Sequence, residues 1–207
     1  MGSKEELLKE IVEIEWGMFQ DVANIGGKAA CQEDPATFRI MRTSQGLGWS
    51  ESALQSYLND LKEAERKGRN LLSEKYARMM ESTSPSEHKN IRHLIPQLDP
   101  DVPPLIDRIV NIMLDWEEEI SQKFPYIRGR GRPVHKSEDS QLVTSFETYL
   151  RGELATYSKR TLDLYYEYVS EQKSENINGA EVCLDHMVRR YGYKSIEEAN
   201  EKLRTRG

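Results

Sequence analysis

The sequence predicts an all-α protein, a helical bundle of about seven to eight helices with two of them long. Three observations carry that expectation. Apolar residues recur at three- and four-residue spacing along most of the chain, capping residues precede the periodic segments, and no alternating run is long enough for a sheet.

Taken in order, Ser3 with Glu6 has the spacing of a capping box. Leu7, Leu8, Ile11, Val12, Ile14, Met18, Phe19 and Val22 then form an apolar face that is expected to stop at Gly26-Gly27. Asp34 followed by Pro35 opens a short helix through about Ser44. Ser50 opens the next one, with Leu54, Tyr57, Leu58, Leu61 and Ala64 inward and Gly68 as its stop. Asn70 caps LLSEKYARMMES, and Ser84-Pro85-Ser86-Glu87 reads as another capping box, closed by Pro96. The proline-rich connector from Pro100 to Pro104 feeds a long helix through about Gln122, whose buried stripe is Leu105, Ile106, Ile109, Met113, Trp116 and Ile120. A basic Gly/Arg/Pro loop over 123–137 separates it from a second long helix, expected from near Ser137 to Glu171. Leu142, Phe146, Tyr149, Leu150, Leu154, Tyr157, Leu164, Tyr165 and Tyr168 are its inward or edge residues. Gly152 interrupts that helix at a cost of about 1 kcal/mol relative to alanine, which predicts close packing or a kink. Asn178 with Glu181 and Ser195 with Glu198 cap two final helices. One domain spanning 1–207 accommodates all of this, since the length demands no second core.

Composition narrows the function classes. Hydrophobic residues are 37% and charged ones 31%, which places the chain among charged globular proteins rather than disordered ones. A net charge of -6 argues against a general nucleic-acid binder, whose affinity rests on phosphate neutralisation. The longest apolar runs are too short to cross a bilayer, and the N-terminus lacks the apolar core of a signal peptide. The expectation is a cytoplasmic protein without a membrane partner. Cys31 and Cys183 cannot make a disulfide framework, and a reduced compartment suits them.

Carboxylates on apolar faces are the first functional signal. Glu15 lies between Ile11 and Phe19, Glu153 lies among Tyr149, Leu150 and Tyr157, and Glu147 stands nearer the edge of its stripe. A buried carboxylate needs a partner, because desolvation costs several kcal/mol. Arg39, Arg42, Arg69, Arg78, Arg151 and the tyrosine hydroxyls are available. Two readings follow: a salt-bridge network that fixes helix register, or a polar pocket for a small ligand or for acid–base chemistry. The catalytic candidates on the second reading are Glu15, Glu147, Glu153 and Tyr149.

No metal site is predicted. There is no Glu-x-x-His pair, His88 and His93 do not share a helical face, and His186 has no partner one turn away. Gly26-Gly27-Lys28-Ala29 lacks the glycine spacing and the Ser or Thr of a phosphate loop. Cys31 has no histidine nearby in sequence, Cys183 reads as core, and the Tyr165, Tyr166, Tyr168 group reads as helix packing.

The basic loop YIRGRGRPVHK is the second signal. From Ser121 to Ser137 it has no acidic residue, whereas Glu117, Glu118 and Glu119 precede it and Glu138 and Asp139 follow. Its GRGRP core matches the element that AT-hooks lay in a narrow minor groove, but the acidic neighbours and flanking helices argue against a free DNA-binding arm. The loop is either a structural tie neutralised by those flanks or an anion clamp of arginine forks. The ligand-binding candidates are Arg128, Arg130, Arg132, Arg42 and Arg69, with no cofactor named.

The strings EIEWGMFQDVANIGGKAACQ, TFRIMRTSQ, SYLNDLKEAERKGRNLLSEKYARMME, GRGRP and TSFETYLRGELATYS together resemble an uncharacterised bacterial and archaeal family, a domain of unknown function, over nearly the whole chain from Glu5 to the final helix. The resemblance implies no catalytic residue. Some relatives are joined to a nucleotidyltransferase-like domain, which implies a second possibility: a noncatalytic helical interaction or substrate-recognition module for such a partner. The residues themselves point to a small anionic ligand in a Glu/Tyr/Arg pocket.

Overall fold

The computed structural model describes residues 3–23 and 27–205. Among them are eleven α-helices and no strand: α1 (Lys4–Gln20), α2 (Pro35–Leu47), α3 (Glu51–Arg66), α4 (Leu71–Thr83), α5 (Pro85–Ile91), α6 (Val102–Lys123), α7 (Pro125–Arg128), α8 (Phe146–Leu154), α9 (Lys159–Ser174), α10 (Gly179–Arg190) and α11 (Ile196–Arg204). The all-α class holds, and the expected seven to eight helices is an undercount. No helix among the described residues is long and apolar enough to cross a membrane.

Local capping sets most boundaries. Ser3 and Glu6 form the capping box of α1. Asp34, Ser50, Asn70, Asn178 and Ser195 each accept a backbone N–H at the start of their helices. Gly68 takes φ +67 just beyond α3, a left-handed conformation that glycine adopts without steric cost.

Four boundaries differ from expectation. Helix α1 ends at Gln20 because distant side chains capture its last carbonyls: Asn70 Nδ2 donates to Met18 O at 2.7 Å and Gln32 Nε2 to Phe19 O at 2.7 Å. Of the expected stop, Gly26 lies outside the described residues. Ser84 begins α5 without a side-chain cap, so the proposed capping box is not formed. Pro103 and Pro104 lie in the first turn of α6 rather than in a connector, where a missing N–H costs nothing.

The fourth difference is the largest. The second long helix is two helices, α8 and α9, preceded by a looped segment with a turn between Ser140 and Val143. Asp139 accepts from Ser145 N at 2.6 Å, and Ser145 in turn caps α8 through Thr148 N. Leu142 therefore sits on a loop and is 96% exposed, not inward. Ala155 ends α8, and Ser158 opens α9 by accepting from Thr161 N. Gly152 is close-packed: a Cβ there would lie 2.8 Å from Met79 Cγ and 3.0 Å from Lys75 O.

Helix α1 packs on α3, α4 on α8, α2 on α10, and α6 on α9. One apolar cluster joins them, with Leu54, Leu58, Leu61, Ile109, Leu154 and Leu162 among its most enclosed members. This arrangement brings polar residues on the inward faces of α1, α2, α4 and α8 together.

Candidate functional site

Glu15 of α1 is completely buried. Arg42 of α2 donates from Nε to its Oε2 at 2.8 Å and from Nη2 to its Oε1, and the Tyr57 hydroxyl of α3 donates to Oε1 at 2.7 Å. Arg42 also reaches Glu153 of α8, with Nη1 2.9 Å from Oε1. Glu153 takes two further bonds, from Lys75 Nζ of α4 at 2.5 Å and from the Tyr157 hydroxyl at 2.8 Å. The result is an alternating chain, Glu15–Arg42–Glu153–Lys75, contributed by four helices and with no net charge. Every carboxylate oxygen in it is hydrogen-bonded, as buried charges require.

Burial alone would push the Glu153 carboxyl up, but Arg42 and Lys75 outweigh it and hold the group well below the usual carboxylate range. Burial pulls the Lys75 ammonium down, opposed by Glu153. Its charged form is the one this geometry supports, with the Glu153 oxygen on one contact and the Tyr149 ring centroid 3.4 Å away on another. Burial raises Tyr57, Tyr149 and Tyr157, so these hydroxyls remain protonated donors at neutral pH. Glu153 is thus held in its anionic form between two cations.

Two cavities border this chain. One, of about 400 Å³, lies among α2, α6, α8 and α10 with Trp49, Met113, Trp116, Phe146 and Leu150 in its walls. The other, of about 440 Å³, lies on the side of Phe19, Phe38, Lys75 and Tyr76. Met41, Gln45, Arg132, Tyr149 and Glu153 line both, so this group is the partition between them.

The basic loop is ordered by backbone bonds. Phe146 N donates to Pro133 O at 2.7 Å and Glu147 N to Val134 O at 3.0 Å, while Asn200 of α11 accepts from Tyr126 N and Ile127 N at the start of α7. Its arginines then divide. Arg128 Nε lies 2.9 Å from Glu117 and His135 Nε2 3.1 Å from Glu118, so part of the loop is the structural tie to its acidic flank. Burial raises the Glu117 carboxyl and Arg128 opposes it. Arg132 donates to Thr144 O at 3.2 Å and places its guanidinium 4.9 Å from the Tyr149 ring centroid. Arg130 is exposed and borders neither cavity.

Two other candidates lie elsewhere. Glu147 accepts from Arg151 Nε at 2.9 Å and from Lys136 N at 3.0 Å, on a different face of α8 from Glu153. Arg69 forks onto Glu74 at 2.8 and 2.7 Å, a local pair away from both cavities.

Lys75 was not among the predicted residues. Its signal is the one that marked Glu15 and Glu153: Lys75 lies on the buried stripe of its own helix, with Leu71, Leu72 and Met79. Ser44 and His186 are a second unpredicted pair, with Oγ 3.0 Å from Nδ1 at the wall of the 400 Å³ cavity. Ser44 Oγ also lies 2.7 Å from Ile40 O, and the imidazole tautomer decides which partner donates in its contact with His186. Cys31 is exposed, while Cys183 is part-buried and lines the 400 Å³ cavity rather than filling core. Among the described residues no group of three or more His, Cys, Asp or Glu is placed to hold a metal ion.

No curated protein and no solved structure matches the chain. A family model covers residues 5–201, and the four residues of the charge chain, Glu15, Arg42, Lys75 and Glu153, all fall within that span. By that near full-length match, the chain belongs to the family described as protein of unknown function (DUF4125).

Proposed function

We propose that the protein binds a small ligand with an apolar or aromatic body and one anionic group, the body in the 400 Å³ cavity and the anion at Arg132. The observation that carries this reading is the state of the cations around the two cavities. Arg42 and Lys75 face Glu15 and Glu153, and Arg128 faces Glu117. Arg132, which borders both cavities, has no carboxylate partner among the described residues. Its remaining guanidinium donors are available for a carboxylate, sulfonate or phosphate fork. The volume falls within the range of small-molecule sites, and the Trp, Met and Phe walls favour an apolar body. Tyr149 and the paired Glu153 supply hydrogen-bonding partners at the partition, without a group poised to transfer a proton.

A pair of fluorescent probes tests this. Anilinonaphthalene sulfonate carries the anion, and N-phenyl-1-naphthylamine has the same rings without it. The sulfonate should bind the wild-type protein more tightly, and Arg132→Gln should weaken it by about tenfold, the equivalent of one charge-assisted hydrogen bond, while sparing the uncharged probe. Equal affinities for the two probes, or a sulfonate affinity indifferent to Arg132→Gln, would overturn the proposal. Native mass spectrometry of protein purified from its own host identifies any ligand it retains.

A further inference from the structure

A third and larger cleft, of about 790 Å³, lies on the face of α8 that turns away from Glu153. It is bounded by α4, α5, the start of α6 and the segment around Lys136, and shares no lining residue with the other two. Six ionised side chains line it: Arg78, Arg92, Lys136 and Arg151 against Glu81 and Asp107. Four cations against two carboxylates leave a local charge of +2, on a chain whose net charge is -6.

The cations differ in what they hold. Arg151 is fixed, with Nη1 2.6 Å from Asp107 and Nε 2.9 Å from Glu147. Arg78 donates through Nη2 to Pro96 O at 2.6 Å, and its buried Nε has no hydrogen-bond partner. Arg92 and Lys136 form no ion pair among the described residues, and both are exposed. The main chain at Lys136 is nevertheless pinned, since its N–H donates to Glu147 Oε2 at 3.0 Å and the neighbouring Pro133 and Val134 carbonyls accept from α8. A fixed backbone therefore presents an ammonium that belongs to no ion pair, with the Glu147 carboxylate as its nearest counter-charge, to a cleft that already holds three guanidinium groups.

We infer that this cleft binds a small phosphate-bearing ligand, with Arg92 and Lys136 as its main charge contacts and Arg78 and Arg151 as positioned donors. A phosphate ester carries a charge of about -1.5 to -2 at neutral pH with three acceptor oxygens, which matches a +2 site approached from several helices. A single carboxylate would cancel only half of that charge. The volume exceeds what one inorganic phosphate fills and leaves room for the body of the ligand. This site is independent of the one assigned to Arg132.

The test is calorimetric titration of the full chain with inorganic pyrophosphate at low salt, and with malonate as a dicarboxylate comparator. Saturable one-to-one binding is expected, weakening as salt rises, with malonate at least about tenfold weaker. Arg92→Gln with Lys136→Gln should weaken pyrophosphate by at least about tenfold, two charge contacts having been removed. Arg92→Lys with Lys136→Arg should restore most of it, and Arg132→Gln should leave the pyrophosphate-induced amide shifts within the cleft unchanged. Backbone amide shifts at Thr148 and Arg151 locate the binding. Absence of saturable binding, undiminished affinity in the doubly neutralised variant, or malonate binding as tightly as pyrophosphate would each overturn the inference.

Discussion

Replacing Glu15 by alanine should destabilise the protein by about 3–5 kcal/mol, the usual cost of stranding one member of a buried ion pair. Glu15 is fully buried and accepts three hydrogen bonds, two from Arg42 and one from Tyr57. Its removal leaves Arg42 and Lys75, both enclosed, to share the single carboxylate of Glu153. Glu153→Ala belongs at the upper end of the same range, because it removes the anion between both cations and leaves Lys75 with no carboxylate. Glutamine at position 15 keeps one acceptor but sets an amide N–H₂ against donors, so about 1–3 kcal/mol is expected. Urea unfolding followed by tryptophan fluorescence and far-ultraviolet circular dichroism measures these differences. They are a large fraction of the about 5–15 kcal/mol by which domains are stable. In an Arg42→Met background Glu15→Ala should cost less, with a coupling of about 0.5–3 kcal/mol. Unchanged midpoints in both alanine variants, or strict additivity with Arg42→Met, would refute the charge chain as the link between the four helices.

Two further predictions concern the same helices. Gly152→Ala should destabilise by about 1–3 kcal/mol despite alanine's better helix propensity, because the new Cβ would meet the immobile Lys75 carbonyl at 3.0 Å; a raised melting temperature would contradict this. The depressed Glu153 carboxyl contributes stability that is fully present above its ordinary value of 4.5 and is lost as pH falls through the lower folded value. The stability gap between the wild type and Glu153→Gln should therefore be constant from neutral pH down to about 4.5 and narrow in stronger acid. Parallel acid-denaturation profiles would sink it.

What could be read from the sequence was local. A cap is decided within four residues, so Ser3, Asn70, Asn178 and Ser195 declared their helices directly. Glu15 and Glu153 stood out because each interrupts its own apolar stripe, again a property of one helix. What failed was decided between helices. Leu142 and Phe146 keep helical spacing, yet Asp139 and Ser145 bond across that interval and close it as a loop. The spacing across Gly152 and Tyr157 likewise hid the break that Ser158 makes. Ser158 is the local signal, a good N-cap residue that apolar spacing on both sides masks.

The charged residues sort by the same rule. Arg69 has an acid five residues away and Glu147 a base four residues away, and both turn to those neighbours instead of the pocket. Arg42 has no such local carboxylate and reaches across to α1 and α8. Arg128 is claimed by the acidic end of α6, the tie that the flanking glutamates suggested. Arg132 and Arg130 are both left over, and composition cannot separate them. The difference lies in the Pro133 and Val134 bonds to α8, which set Arg132 against the Tyr149 ring while Arg130 remains in solvent. On the two proposed readings, a cation is open to a ligand where the fold fixes its backbone beside a cavity and gives its side chain no ion pair. Among the described residues Arg132 meets that condition at one site and Lys136 at the other, although both come from the same loop and differ by only four positions.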